Sequence, residues 1–218
     1  MGLPTRFKMQ KLTTTLIGLF LVNLLPLAFD PTLMLHWKNI IMLLGNAALW
    51  MAHPRLLTDE NNQATDKKTI HLILFSGLLC MILTVVQWAY FTADKNGTAL
   101  LNGLGITLIL GGVSLRNYSI ALLDKQFTSH VKIVADHELI TKGPYRLLRH
   151  PSYTGAYVAM LGTGVLLQTW AMLVVTAIAV FYAYYKRVEA EEATLLQHFG
   201  AKYQLYQQQT KRMFPMIW

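Results

Sequence analysis

Apolar residues in this chain gather into long blocks, with the polar residues collected between them. A helix needs about 20 mainly apolar residues to cross a hydrocarbon core. Six runs predict such helices: Leu12–Phe29, Leu33–Ala52, Ile70–Phe91, Ala99–Leu115, Tyr153–Leu167 and Trp170–Tyr185. Only Gln168 and Thr169 separate the last two, which predicts a tight hairpin that crosses twice or dips and returns. Either way its two ends share one side of the membrane. Arg6, Lys8 and Lys11 precede the first run like a signal peptide. No small-x-small cleavage site follows, and Pro26 and Pro31 read as helix-end punctuation, so the run is expected to be a retained span. The pattern predicts an all-α, multi-pass bundle of about six membrane helices. Residues 1–123 supply the N-terminal helices, and residues 124–218 the polar loop, hairpin and tail of one integrated domain.

Composition sharpens this reading. Of 218 residues, 54% are apolar and 14% charged, against about 25% charged in a soluble domain. That excludes a disordered or tail-like nucleic-acid-binding chain. The formal charge is nonetheless +8. Sorted by side, 17 of the 19 Lys and Arg residues fall on one face, with only Lys38 and Lys95 on the other. This asymmetry places both termini in the cytoplasm. The charge therefore records topology and not a nucleic-acid partner. The compact layout suggests a bacterial inner membrane, with the endoplasmic reticulum as its eukaryotic counterpart. Cys80 is the only cysteine, which excludes an intramolecular disulfide or a cysteine-based metal centre.

The tail carries Leu195, Leu196, Phe199, Tyr203 and Tyr206 at helical spacing, predicting an amphipathic helix along the membrane surface. Gly111, Gly112, Gly155, Ala159 and Gly162 predict close helix contacts. Two polar clusters share the cytoplasmic face. One runs from His137 to Gly155. Pro151 there fixes the start of a helix behind His150, whose first-turn N–H groups and dipole favour an anion. The other is Arg187-Val188-Glu189-Ala190-Glu191-Glu192. Its three acids repel one another and call for a cationic partner, such as an ammonium or sulfonium ligand. Together the clusters describe a pocket for a zwitterion.

A plainer reading makes Arg146, Arg149, Lys186 and Arg187 snorkelling anchors, with Tyr145, Tyr153, Tyr184 and Tyr185 as an interfacial belt. The positive-inside preference gives no reason for Glu189, Glu191 and Glu192. His130, His137 and His150 match no compact metal-ligand spacing, so no metal is expected. Asn96-Gly97-Thr98 is first a turn signal. Arg116 and Asn117, at the cytoplasmic end of the fourth helix, are candidates to line the pocket, with a plain helix-end anchor the simpler reading.

Gly143-Pro144-Tyr145, Arg149-His150-Pro151-Ser152-Tyr153-x-Gly155, the hairpin, then Glu191-Glu192, Phe199-Gly200 and Tyr203 form a paired signature over roughly residues 127–215. It resembles the isoprenylcysteine carboxyl methyltransferase family. The resemblance implies a membrane methyltransferase that uses S-adenosylmethionine without a Rossmann domain. Carried over by position, cofactor contacts fall on His130, His137, Glu138, Leu139, Ile140, Tyr145, His150, Pro151, Ser152, Tyr153 and Glu191. The substrate-binding arginine falls on Arg187. The implied acceptor is the carboxylate of a prenylated cysteine or a similar apolar acid, drawn from the lipid bilayer. Arg187, Glu191 and Glu192 are the expected catalytic set. An ionised carboxylate needs no general base, and the separate roles of Glu191 and Glu192 stay open at this point.

Three rivals remain. A lipid N-methyltransferase attacks with an amine and has no use for a carboxylate clamp such as Arg187. A sterol-reductase-like enzyme binds NADPH, whose phosphates the acids would repel. A membrane scaffold would use both clusters only as anchors.

Overall fold

The computed structural model describes residues 5–52, 64–123 and 139–215, with side chains from residue 12 in the first helix and from residue 68 in the third. Among the described residues seven α-helices occur in this order: α1 Thr5–Leu19, α2 Trp37–Ala52, α3 Ala64–Val86, α4 Ala99–Leu123, α5 Pro151–Leu167, α6 Trp170–Phe199 and α7 Ala201–Gln209. No strand occurs among the described residues. Every apolar run contains a helix, but among the described residues three are long and apolar enough to cross a membrane: Lys68–Phe91, Ala99–Leu123 and Trp170–Phe199. The first run is interrupted: α1 gives way to a π-helical turn, Phe20–Leu24, Pro26 sits in the short 3-10 turn Leu25–Leu27 that follows, and Pro31 opens another, Pro31–Leu35, ahead of α2.

Two helices outrun their apolar blocks, and both extensions matter to the site. Helix α4 continues past Leu115 to Leu123, which moves Arg116 from a helix end into a helix interior. Helix α6 runs unbroken for 30 residues, about 45 Å at 1.5 Å per residue. Its half through Tyr185 is apolar, and the half beyond carries the charged residues.

The hairpin is as tight as its two-residue link requires. Gln168 closes α5 in the left-handed conformation at φ 55°, and Thr169 N–H donates to Gly164 O at 3.0 Å. Small residues set the α4–α5 approach. A Cβ on Gly112 would lie 2.5 Å from Gly155 O and 2.6 Å from Ala159 N, and one on Gly155 would lie 2.5 Å from Gly112 O. Gly162 abuts Leu108 and Ile109 in the same way, whereas Gly111 faces open space and takes no part. At the other membrane face Gly97, at φ +64°, makes the expected turn before α4.

The tail departs from expectation. Gly200, at φ +52°, breaks it into the end of α6 and the separate helix α7. Leu195, Leu196 and Phe199 stay on α6, so the stripe is not one face of one helix. Tyr203 and Tyr206 are buried. They turn inward because the segment after α7 is bound to the loop ahead of α5. Arg149 N–H donates to Lys211 O at 2.7 Å, His150 N–H to Arg212 O at 2.9 Å, and Lys211 N–H to Leu147 O at 3.0 Å. Met213 then fills the core beside Tyr157, Val180 and Tyr184.

Candidate active site

Loop 139–150 lies between α4, α6 and the tail. Leu139 and Ile140 are half-buried in it. Gly143, at φ +61°, opens a 3-10 turn over Gly143–Arg146 in which Pro144 suits the early position. Tyr145 is buried there. Its hydroxyl donates to Ser119 O on α4 at 3.3 Å, and its own carbonyl accepts from Tyr206 at 2.7 Å. Burial pushes the Tyr145 phenol far up, so it stays protonated as a donor. His150 and Pro151 begin α5 as expected. The anion site inferred there is smaller than four free N–H groups would make it. Pro151 has no N–H, and those of Tyr153 and Thr154 both donate to His150 O.

The two sequence clusters meet at His150. Its Nδ1 is 3.4 Å from Glu191 Oε2 and its Nε2 is 3.3 Å from Glu192 Oε1. Adjacent residues on a helix point about 100° apart, which lets the two carboxylates flank one ring. Glu192 is the more enclosed. Its Oε1 accepts from Arg149 Nε at 2.7 Å, and its Oε2 from Arg212 Nε at 3.0 Å and Gln207 Nε2 at 3.4 Å. Arg149 also donates to the carbonyls of Gln207 and Thr210. Glu191 accepts from Arg187 Nε at 2.8 Å and from the Tyr153 hydroxyl, with its side chain 19% exposed against 5% for Glu192. Glu192 therefore braces the loop and tail, while Glu191 offers the carboxylate that a ligand can reach.

Electrostatics follow from this packing. Burial pushes the Glu191 carboxyl up, but Arg187 and His150 outweigh it and hold it at about 2. At Glu192 burial is likewise overcome, by hydrogen bonds from His150 and Arg149, again to about 2. Burial lowers His150, but the two carboxylates prevail and raise it, favouring the imidazolium. The cationic partner that the acid cluster seemed to require is therefore supplied largely by the chain itself. Glu189 stands apart from that cluster, in an exposed pair with Lys186 at 3.1 Å, because residues 189 and 191 lie on nearly opposite faces of α6.

Aromatic rings line the reachable side. His150 stacks on Tyr153 at 5.9 Å between centroids, and Tyr153 on Tyr184 at 4.9 Å. Arg187 is 2% exposed, and its Nη1 donates to Thr69 Oγ1 of α3 at 3.2 Å. Arg116, also buried, donates to Ser152 O at 3.1 Å, which corrects its reading as a plain helix-end anchor. Of the remaining expected residues, Pro151 and Ser152 are buried in the first turn of α5; His130, His137 and Glu138 lie outside the described residues.

Arg149, Arg212 and Thr69 are the parts that sequence reasoning missed. Arg149 stood inside the signature, but its side chain crosses to Glu192 and the tail. Nothing local to Arg212 or Thr69 signals a partner that far along the chain. The residue set suits an amino-acid-bearing sulfonium: an ionised carboxylate beside stacked tyrosines for the cationic groups, and a guanidinium, Arg187, for a carboxylate. Two buried polar atoms, Asn117 Oδ1 and the Tyr203 hydroxyl, also have no hydrogen-bond partner among the described residues.

Comparison with known proteins bears on the family and the fold. Residues 104–197 match the isoprenylcysteine carboxyl methyltransferase (ICMT) family. Protein-S-isoprenylcysteine O-methyltransferase B of Arabidopsis thaliana is 31% identical over 160 residues, covering 70% of this chain and 81% of the plant protein. Protein-S-isoprenylcysteine O-methyltransferase of Xenopus laevis is 30% identical over 83% of this chain and 65% of its own length. The solved structure of a eukaryotic intramembrane Ras methyltransferase, ICMT, superposes with a TM-score of 0.65 at 23% identity, over 95% of this chain and 75% of that one, a likeness of fold. The helical membrane architecture, the signature around His150 and Glu191, and a relative matched over most of its length converge: this chain belongs to the isoprenylcysteine carboxyl methyltransferase family.

Proposed function

We propose that the chain transfers a methyl group from S-adenosylmethionine to the carboxylate of an isoprenylated cysteine or a similarly apolar acid, at the cytoplasmic boundary of the membrane. The observation that carries this reading is the placement of a buried guanidinium, Arg187, one helical turn from the ionised Glu191, both beside the His150–Tyr153–Tyr184 stack. When bound, S-adenosylmethionine supplies an electrophilic methyl group on a sulfonium. Glu191, ionised throughout the physiological range, holds the donor's cationic groups, with the faces of Tyr153 and Tyr184 beside it. Arg187 grips the acceptor carboxylate and aligns one of its oxygens. That oxygen forms the new O–CH3 bond as the C–S bond breaks, and the electron pair stays on sulfur. No proton moves, so the chain needs no base. Its contribution is positioning and electrostatics in a site shielded from water by the loop and the tail. Glu192, Arg149 and Arg212 hold that loop and tail together. A carboxylate acceptor is favoured over an amine by Arg187, which has no task toward a neutral nucleophile.

The test supplies labelled S-adenosylmethionine to the purified protein with a farnesylated cysteine analogue, with phosphatidylethanolamine, or with neither. Base-labile volatile label with the first acceptor is expected. Base-stable lipid label with the second, or binding of NADPH and not S-adenosylmethionine, overturns the reading.

A further inference from the structure

Among the described residues Arg187 is held from three helices: Glu191, on its own helix α6, and the Tyr153 hydroxyl, on α5, accept from Nε at 2.8 and 3.4 Å, and Thr69, on α3, accepts from Nη1 at 3.2 Å. Thr69 is 8% exposed and lies at the polar end of the apolar stretch Lys68–Phe91. It stands 118 residues from Arg187 in sequence and outside the segment 104–197 that defines the family match. The packing of α3 against α6 brings the two together.

A guanidinium is planar, with five donors in a fixed fork, so anchors on both its Nε and its Nη1 edge fix the plane of the group. The chemistry of the Nη1 anchor matters. A second carboxylate at position 69, added to Glu191, would leave the guanidinium outnumbered by negative charge and repel an incoming anion. A threonine hydroxyl accepts one hydrogen bond and leaves the positive charge in place.

We propose that Thr69 is a positioning residue that sets the plane of the Arg187 guanidinium for the acceptor's carboxylate, so that α3 completes a site otherwise built from loop 139–150, α5 and α6. This rests on Arg187 being the carboxylate clamp. The experiment uses the full chain in lipid nanodiscs and compares wild type, Thr69→Val and Thr69→Ser. Binding of farnesylcysteine and of its methyl ester is measured without methyl donor, alongside KM, kcat and S-adenosylmethionine affinity. Thr69→Val is expected to weaken farnesylcysteine binding and raise its KM about tenfold. Methyl-ester binding and S-adenosylmethionine affinity should stay within twofold, and Thr69→Ser should restore the wild-type values. Unchanged farnesylcysteine binding in Thr69→Val overturns the proposal, as does equal weakening of acid and ester, which marks a merely structural role. Should Thr69→Val fail to fold, Thr69→Ala takes its place under the same criteria. If the wild type binds the acid in a Thr69-dependent manner yet transfers no methyl group to it, the methyltransferase reading fails and the positioning role stands.

Discussion

Glu192→Gln isolates the brace behind the site. The substitution keeps the shape of the side chain and removes one charge from a carboxylate that is 5% exposed and contacts Arg149, His150 and Arg212. Two estimates of the cost agree. Held at about 2 against an ordinary 4.5, the Glu192 carboxyl stabilises the folded chain by about 3 kcal/mol at neutral pH. Removing one partner of a buried ion pair costs about 3–5 kcal/mol, because the other charge is left uncompensated; here that charge is Arg149, 9% exposed. The amide keeps one acceptor oxygen, which favours the lower figure. At about 2–4 °C per kcal/mol for a chain of this size, thermal unfolding in detergent should begin about 5–10 °C lower in the variant at pH 7. The sign of the pH dependence follows from the depressed carboxyl. Its stabilisation is complete above pH 4.5 and is lost as the pH falls toward 2. The gap between wild type and variant should therefore be widest at neutral pH and narrow below pH 4.5. Tryptophan fluorescence melts across this range check it. A gap below 2 °C at pH 7, or one that stays constant down to pH 2, would refute the brace.

Other expectations are more local. Arg187→Lys keeps the charge and loses the planar fork, so turnover on a farnesylated cysteine analogue should fall at least about tenfold, with S-adenosylmethionine affinity by calorimetry held within threefold. His150 is raised by the two carboxylates. Its stabilisation is complete below pH 6.5 and is lost as the pH rises through its higher folded value, so His150→Gln should flatten the alkaline decline of the unfolding temperature. Gly112→Leu should prevent a monodisperse peak in size-exclusion chromatography, since its Cβ alone would lie 2.5 Å from Gly155 O, whereas Gly111→Leu, with nothing within 4 Å, should behave as wild type.

What the sequence determined by itself was everything governed by local pattern. Apolar blocks of membrane-helix character, the two-residue hairpin link, Pro151 at the start of α5 and the small-residue α4–α5 contact depend on near neighbours or on solvent preference, and all are present in the fold. The signature residues His150, Tyr153, Arg187 and Glu191 were legible too, because the chemistry concentrates unusual residue types in two short stretches.

Tertiary structure decided which of those residues meet, and in what role. Glu191 and Glu192 are equivalent in sequence and diverge only because Arg149, Arg212 and Gln207 converge on one of them. Glu189 looked like a third member and faces away. Tyr203 and Tyr206 read as membrane-facing and are buried, because the tail binds loop 139–150 through backbone hydrogen bonds that carry no side-chain signature. Thr69 met Arg187 across 118 residues. A hydrogen bond is worth making wherever a buried donor finds an acceptor. The chain's pattern states which groups will be buried, and only the packing of its helices states which groups will be buried together.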